Sequence, residues 1–91
     1  MELREMTYDI SITSSALKEY QSVSEPYKSK IKEKIDSLAS IGLQSSNIIA
    51  LKGLLKGLFR MKVGDYRVVF KIESNKITIV SILHRKDVYR K

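Results

Sequence analysis

The sequence predicts an α+β domain in which two N-terminal helices pack on one face of an antiparallel β-sheet. Two patterns lead to this prediction. Apolar residues recur at helical spacing between residues 14 and 42, and they alternate with polar residues in residues 7–12, 58–63, 66–72 and 76–83. The resulting order is β-α-α-β-β-β, and helices that cover one face of a sheet form a common layer arrangement.

Length and composition set broad limits. The 91 residues suffice for one modest core, so we expect a single domain over residues 1–91. The chain has no Cys and one His, which argues against disulfides and thiolate metal sites, and we expect neither a metal nor a cofactor. No apolar stretch reaches the ~18 residues of a membrane span, and no signal peptide is visible, so we expect a cytoplasmic protein without a membrane partner.

Charge is unevenly distributed along the chain. The net charge is +7, with −1 in residues 1–42 and +8 in residues 43–91. A basic half beside a near-neutral half indicates a polyanionic partner, either nucleic acid or an acidic protein. The alternative is a solvated cationic surface with no partner.

The N-terminal half predicts a strand and two helices. Residues 7–12 alternate as a strand, and the hydroxyls of residues 13–15 are candidates for the N-cap of a short helix with Leu17 and Tyr20 on its inner face. A second helix begins near Pro26 and ends at Gly42. Its inner face carries Tyr27, Ile31, Ile35 and Leu38.

Residues 43–57 are predicted to form a loop that leads into the next strand, because Gly53 and Gly57 disfavour a helix. Either Leu51 or Leu54 is expected to lie against the core.

Two tight turns set the register of the C-terminal strands. Gly64-Asp65 suits a type II′ turn, and Ser74-Asn75 is a second plausible tight turn. The first turn pairs Val63 with Tyr66, Met61 with Val68 and Phe59 with Phe70. The second pairs Ile72 with Ile77, Phe70 with Ile79 and Val68 with Ser81. Both turns give one consistent apolar face, which supports the register.

The other face of this predicted sheet is cationic. Lys62 lies opposite Arg67, and the Cβ atoms of such a pair are ~5 Å apart. Two unit charges at that separation repel by roughly 1 to 3 kcal/mol. The same register opposes Arg67 to Ile82 and Val69 to Val80, and it places His84 on this face, near Arg85. Cations around an apolar floor of Val69, Val80 and Ile82 suit a phosphate chain with its bases on the sheet. A solvated polar face is the alternative.

Three segments resemble the RelE toxins of the RelE/ParE superfamily. They are "LKG" at 51–53, "GLFRMKVGDYRVVFKI" at 57–72 and "ILHRKDVYR" at 82–90. The resemblance implies a toxin that cuts messenger RNA in the ribosomal A site without a metal. The implied reaction is attack of a ribose 2′-OH on the adjacent phosphate. The implied partners are the messenger, the ribosome and a cognate antitoxin with an acidic segment.

The resemblance also implies roles for individual residues. Arg60 and Lys62 match two basic positions on the first strand of the meander, where Arg60 would stabilise the transition state and Lys62 could act as base if its pKa is lowered. Arg67 would also stabilise transition-state charge. Arg85 would contact the leaving oxygen or the phosphate, and Tyr89 would stack on a base.

His84 and the activity itself remain open at this stage. A lone His is a poor metal site, so His84 is either a structural strand-end residue or a group that contacts phosphate or moves a proton. Two alternatives to RNA cleavage also remain. The chain could be a ParE-like inhibitor of DNA gyrase, or a relative that only binds its antitoxin.

Overall fold

A computed structural model describes residues 8–42, 47–51 and 57–88. Its elements are β1 Asp9–Ile12, α1 Ser14–Gln21, α2 Tyr27–Ile41, β2 Ile48–Ala50, β3 Leu58–Val63, β4 Tyr66–Glu73, β5 Lys76–His84 and α3 Arg85–Val88. No helix within these ranges has the length and apolar character needed to cross a membrane.

The strands form one sheet in the order β1-β5-β4-β3-β2. The predicted α+β class is confirmed, with α1 and α2 packed on the sheet. The sheet is mixed rather than antiparallel throughout, because β1 runs parallel to β5 while the other neighbours are antiparallel. The strand β2 was not predicted, and its three residues are too few to show an alternating pattern.

The first helix begins as predicted but faces the sheet with a different residue. The Thr13 hydroxyl accepts a hydrogen bond from the Ala16 N–H at 3.1 Å and caps α1. Tyr20 packs against the core, but the prediction that Leu17 also faces inward is wrong, since Leu17 is 41% exposed. Ala16, one residue earlier, occupies the buried position instead.

The second helix follows its predicted pattern. Ile31 and Leu38 are fully buried, and Tyr27 and Ile35 pack against the same core. The helix ends at Gly42, which has a φ of +55° and donates its N–H to the Leu38 carbonyl. The core joins these helices to one face of the sheet. Its buried sheet residues are Met61, Val63, Val68, Phe70, Ile77, Ile79 and Ile82.

The register between β3 and β4 is confirmed at every predicted pair. Val63 pairs with Tyr66, Met61 with Val68, Phe59 with Phe70, Lys62 with Arg67 and Arg60 with Val69. The turn has Gly64 at a φ of +59°, as a type II′ turn requires at its first central position. Side chains of β3 therefore alternate between the core and the opposite face.

The register between β4 and β5 is only half as predicted. The pairs Ile72–Ile77 and Phe70–Ile79 are confirmed, but a bulge follows, in which Val80 is the extra residue. Beyond it Val69 pairs with Ser81, Val68 with Ile82 and Arg67 with Leu83, so the predicted partners of these three β4 residues are wrong. Because a shift of one residue reverses the side-chain faces, Ile82 enters the core and is 2% exposed.

The two helix leucines provide a matched test of this packing. Leu38→Ala should lower the free energy of unfolding by about 2 to 5 kcal/mol, because it opens a cavity in the core. Leu17→Ala should change it by about 0.5 kcal/mol or less, because that side chain is already partly solvated. Urea unfolding of both variants measures the difference, and equal losses would contradict the assignment of Ala16 as the buried residue of α1.

Candidate functional site: a cationic cleft on the sheet

The sheet face opposite the core carries a cleft of about 210 Å³. Its lining residues are Asn47, Ile49, Arg60, Lys62 and Arg67. Arg60 and Lys62 point to this face because their neighbours on β3, Met61 and Val63, are buried in the core. The structure therefore brings together three of the six site residues that the sequence predicted.

Arg67 is the buried member of the cleft, with 8% of its surface exposed. Its Nη1 donates to the Gly64 carbonyl at 3.1 Å and to the Tyr66 carbonyl at 3.0 Å. These bonds fix the guanidinium beside the β3–β4 turn. Of the ion pairs within the described ranges, none involves Arg67. A buried cation without a counter-charge is costly, so the position favours binding of an anion.

Arg60 and Lys62 extend the positive charge along β3. Lys62 is exposed and lies directly opposite Arg67, and Arg60 is half-buried opposite Val69. Neither forms an ion pair with a carboxylate of the described segments. Cβ atoms of directly paired strand residues lie about 5 Å apart, so the charges repel unless an anion sits between them. A bound phosphate would turn this repulsion into attraction.

Two residues of the cleft were missed by the sequence reading. Ile49, on β2 opposite Arg60, is 50% exposed and supplies an apolar side. Asn47 precedes β2 with a φ of +67°, and its carbonyl accepts the Lys62 N–H at 2.9 Å. The available signal was weak. An Asn tolerates the left-handed conformation and could have marked a turn before a short strand.

Arg85 lies next to the same turn but outside the cleft lining. Its backbone N–H donates to the Asp65 carbonyl at 2.6 Å, and its Nε lies 3.7 Å from the Asp65 carboxylate. Both side chains are half or more exposed, so this ion pair is worth about 1 kcal/mol at most. Arg85 is therefore positioned at the end of the sheet where Arg67 is anchored, with an exchangeable partner.

His84 does not lie on the cationic face, and its predicted placement there is wrong. The bulge in β5 pairs it with Tyr66, and the two rings meet edge to face with centroids 5.3 Å apart. Its Nδ1 accepts the Lys86 N–H at 3.3 Å. His84 instead lines a separate cleft of about 200 Å³ with Glu19, Tyr66 and Asp87, among other residues. This environment supports the structural alternative for His84.

The remaining predictions from the sequence concern Tyr89 and metal ligands. Tyr89 lies outside the described residues, so its role remains a prediction. Within the described ranges no three His, Cys, Asp or Glu residues are grouped as metal ligands would be. The cleft on the sheet is thus built from cations, an amide and an apolar side chain.

Comparison with known proteins agrees with this architecture. A family model described as ParE toxin of type II toxin–antitoxin system, parDE, matches residues 10–89. No curated protein matches the chain in sequence.

Solved toxin–antitoxin structures share the fold over most of the chain. A chain of the archaeal RelE–RelB complex from Pyrococcus horikoshii OT3 is 27% identical, with a TM-score of 0.76 over 94% of this chain and 100% of that chain. A chain of the RelBE2 complex from Mycobacterium tuberculosis is 20% identical, with a TM-score of 0.78 and coverages of 92% and 98%. A chain of the YoeB–YefM complex from Staphylococcus aureus is 23% identical, with a TM-score of 0.71 over 85% of this chain and 95% of that chain.

These matches confirm the resemblance to the RelE/ParE superfamily that the sequence motifs indicated. The family model covers most of the chain, and the fold coincides with that of toxins in complex with antitoxins. The protein belongs to the ParE toxin family of type II toxin–antitoxin systems, within the RelE/ParE toxin superfamily.

Proposed function

We propose that this toxin is a metal-independent endoribonuclease that cuts messenger RNA in the ribosomal A site. The observation that carries the proposal is the buried Arg67 guanidinium, which has no counter-charge among the described residues and is flanked by Arg60 and Lys62. A site of this kind is complementary to a phosphate that gains negative charge during reaction. Because messenger RNA is translated in the cytoplasm, the proposed activity is cytoplasmic.

The reaction proposed for this cleft needs no bound cofactor. The 2′-oxygen of a ribose bonds to the adjacent phosphorus while the bond from phosphorus to the 5′-oxygen of the next nucleotide breaks. The 2′-OH gives up its proton and the leaving 5′-oxygen gains one. The products are a 2′,3′-cyclic phosphate and a free 5′-OH.

The cleft residues divide this work by their chemistry. Arg67, fixed by two carbonyls, and Arg60 would hold the non-bridging phosphate oxygens and stabilise the charge that builds up on them. Lys62 is assigned to removing the 2′-OH proton, because a lysine amine can act as a base in its neutral form whereas an arginine cannot. Ile49 would provide an apolar surface for a base.

Arg85 and Tyr89 would complete the site from the C-terminal segment. The weak ion pair with Asp65 leaves the Arg85 guanidinium free to exchange its partner for the phosphate or the leaving oxygen. Tyr89, four residues further along the chain, would stack on a base of the messenger.

A cognate antitoxin is the partner that family membership supplies, and the similar folds were solved in complexes of this kind. We propose that an acidic segment of this antitoxin neutralises the cationic cleft. Carboxylates there would satisfy Arg67 as a phosphate does, and the messenger would be excluded.

A ParE-like inhibitor of DNA gyrase is the second candidate, and the description of the matching family model favours it. The two functions predict different results in two assays. Purified toxin should cut messenger on ribosomes with an empty A site under the first function, and should block gyrase supercoiling under the second. A toxin inactive in both assays would fit a relative that only binds its antitoxin.

Loss of the buried cation should slow cleavage strongly. Arg67→Ala should lower the single-turnover rate on ribosome-bound messenger by about 100-fold to 1,000-fold or more, as loss of a fixed charge-stabilising donor does. Lys71→Ala is the matched control, because Lys71 lies on the same strand face but pairs with Glu73 and does not line the cleft. Full cleavage by the Arg67 variant would contradict the proposal.

Separate substitutions at Lys62 and Arg60 distinguish a role in proton transfer from a role in charge stabilisation. Lys62→Arg keeps a basic side chain on β3 but removes the amine that would accept the proton, so it should slow cleavage by about 100-fold or more and flatten the rise in rate with pH. Arg60→Lys keeps the charge but loses the two-pronged contact of the guanidinium, so it should slow cleavage less than Lys62→Arg and leave the rise in rate with pH unchanged. An unchanged pH–rate profile in Lys62→Arg would exclude Lys62 as the base.

Stacking by Tyr89 predicts a requirement for the ring and not the hydroxyl. Tyr89→Phe should cleave as the unmodified toxin does. Tyr89→Ala should weaken messenger binding by about 1 to 3 kcal/mol, the usual value of one stacked base. Titration of programmed ribosomes measures both variants, and a fully toxic Tyr89→Ala variant would exclude the stacking role.

A further inference from the structure

The Glu19 side chain joins α1 to the bulged part of β5. Its Oε1 accepts the backbone N–H of Ile82 at 2.8 Å and lies 3.3 Å from the Ser81 hydroxyl, which donates to it. Both contacts fall just beyond Val80, the extra residue of the bulge. Neither contact belongs to the cationic cleft, so the proposed reaction does not explain them.

We infer that Glu19 is a positioning residue that fixes the bulged register of β5 and thereby places Arg85 beside the Gly64–Asp65 turn. The inference about register stands on the fold alone. Its consequence for cleavage rests on the proposed function, in which Arg85 contacts the phosphate or the leaving oxygen.

The strand geometry explains why a carboxylate in this place selects the register. Backbone N–H groups and side chains alternate in direction along a strand, so a one-residue slip reverses both. Without the bulge, the Ile82 N–H would turn away from Glu19 and the Ile82 side chain would leave the core. β1 ends at Ile12, level with Ile79, so the described part of β1 provides no partner for β5 at Ile82. Glu19 supplies the acceptor at that position.

The same register determines the positions of His84 and Arg85 at the end of β5. His84 meets Tyr66 edge to face, and the Arg85 N–H reaches the Asp65 carbonyl at 2.6 Å. A slip of one residue would move this end by about 3.4 Å and turn His84 toward the opposite face. Arg85 would then lose its place beside the turn that anchors Arg67.

Proton NMR of the full chain tests the register directly. The unmodified protein should show a cross-peak between the rings of Tyr66 and His84 and slow exchange of the Ile82 amide. Glu19→Ala should lose the cross-peak and the protection, whereas Glu19→Gln, which retains an acceptor oxygen, should keep both. Glu33→Ala, at an exposed position of α2, is the matched control and should change neither.

Deletion of Val80 should rescue the Glu19→Ala variant. This test remains informative if Glu19→Ala alone fails to fold. Removing the extra residue makes β5 regular and leaves the pairs Phe70–Ile79 and Val69–Ser81 adjacent, so no bulge has to be held. The chain with both changes should fold and show the cross-peak between Tyr66 and His84. Its absence from that chain would overturn the inference.

A double-mutant cycle tests the consequence for cleavage. Glu19→Ala should slow single-turnover cleavage by about 100-fold or more, because a displacement near 1 Å already causes such a loss and the slipped register would move the end of β5 by about 3.4 Å. It should leave the rate of an Arg85→Ala variant unchanged, because it acts through Arg85, and it should slow a Lys62→Ala variant further. Deletion of Val80 should restore the rate of Glu19→Ala.

The outcomes separate this inference from the proposed function. A toxin that cuts no messenger overturns the proposed function, while the NMR result still decides the register. A Glu19→Ala variant that keeps the cross-peak and the protection overturns the inference. A variant that loses the cross-peak but cuts at the unmodified rate, or slows cleavage equally with and without Arg85, overturns the positioning role.

Discussion

The two-residue turn Gly64–Asp65 is the constraint on which the site depends. Gly64 has a φ of +59°, which favours glycine, and a Cβ there would also crowd the Tyr27 ring at 3.0 Å. The turn sets the β3–β4 register, which separates the apolar core from the cations. Its carbonyls also receive Arg67 and the Arg85 backbone. One local feature thus fixes the strand pairing, orients the buried guanidinium and brings the C-terminal segment alongside.

This dependence explains what could be predicted from the sequence. Turn chemistry and alternation are local, so they were sufficient for the β3–β4 register and for the cluster of Arg60, Lys62 and Arg67. The bulge in β5 is different, because its stabilising contact comes from Glu19, more than 60 residues earlier in the chain. No pattern within β5 reveals that contact, so the bulge was not predicted. The predicted register without a bulge therefore placed His84 on the wrong face. The strand β2 was missed because three residues show no period.

The position of His84 changes how the chemistry of the cleft is understood. Without an imidazole on the cationic face, the charged side chains that line the cleft among the described residues are two arginines and one lysine. Guanidinium groups do not exchange protons near neutral pH, so their effect is electrostatic. On the proposed function, most of the rate enhancement then comes from fixed positive charge around the phosphate. Proton transfer would then fall to Lys62 or to groups that the ribosome and the messenger contribute.

The RelE/ParE fold is shared by toxins with different targets, so the site must decide the activity. The uncompensated Arg67 cation bears on this choice, because its burial is costly until an anion binds. On the proposed function a phosphate of the messenger would satisfy that requirement, and a carboxylate of an antitoxin would satisfy it equally well. Catalysis and neutralisation would then use the same unsatisfied charge, and an antitoxin could silence the toxin by occupying the cleft without distorting the sheet. Arg60 and Lys62 beside this guanidinium favour the proposed RNA cleavage, because three cations around one phosphate would stabilise the charge that builds up on it during the reaction, whereas binding to a protein target requires no such cluster.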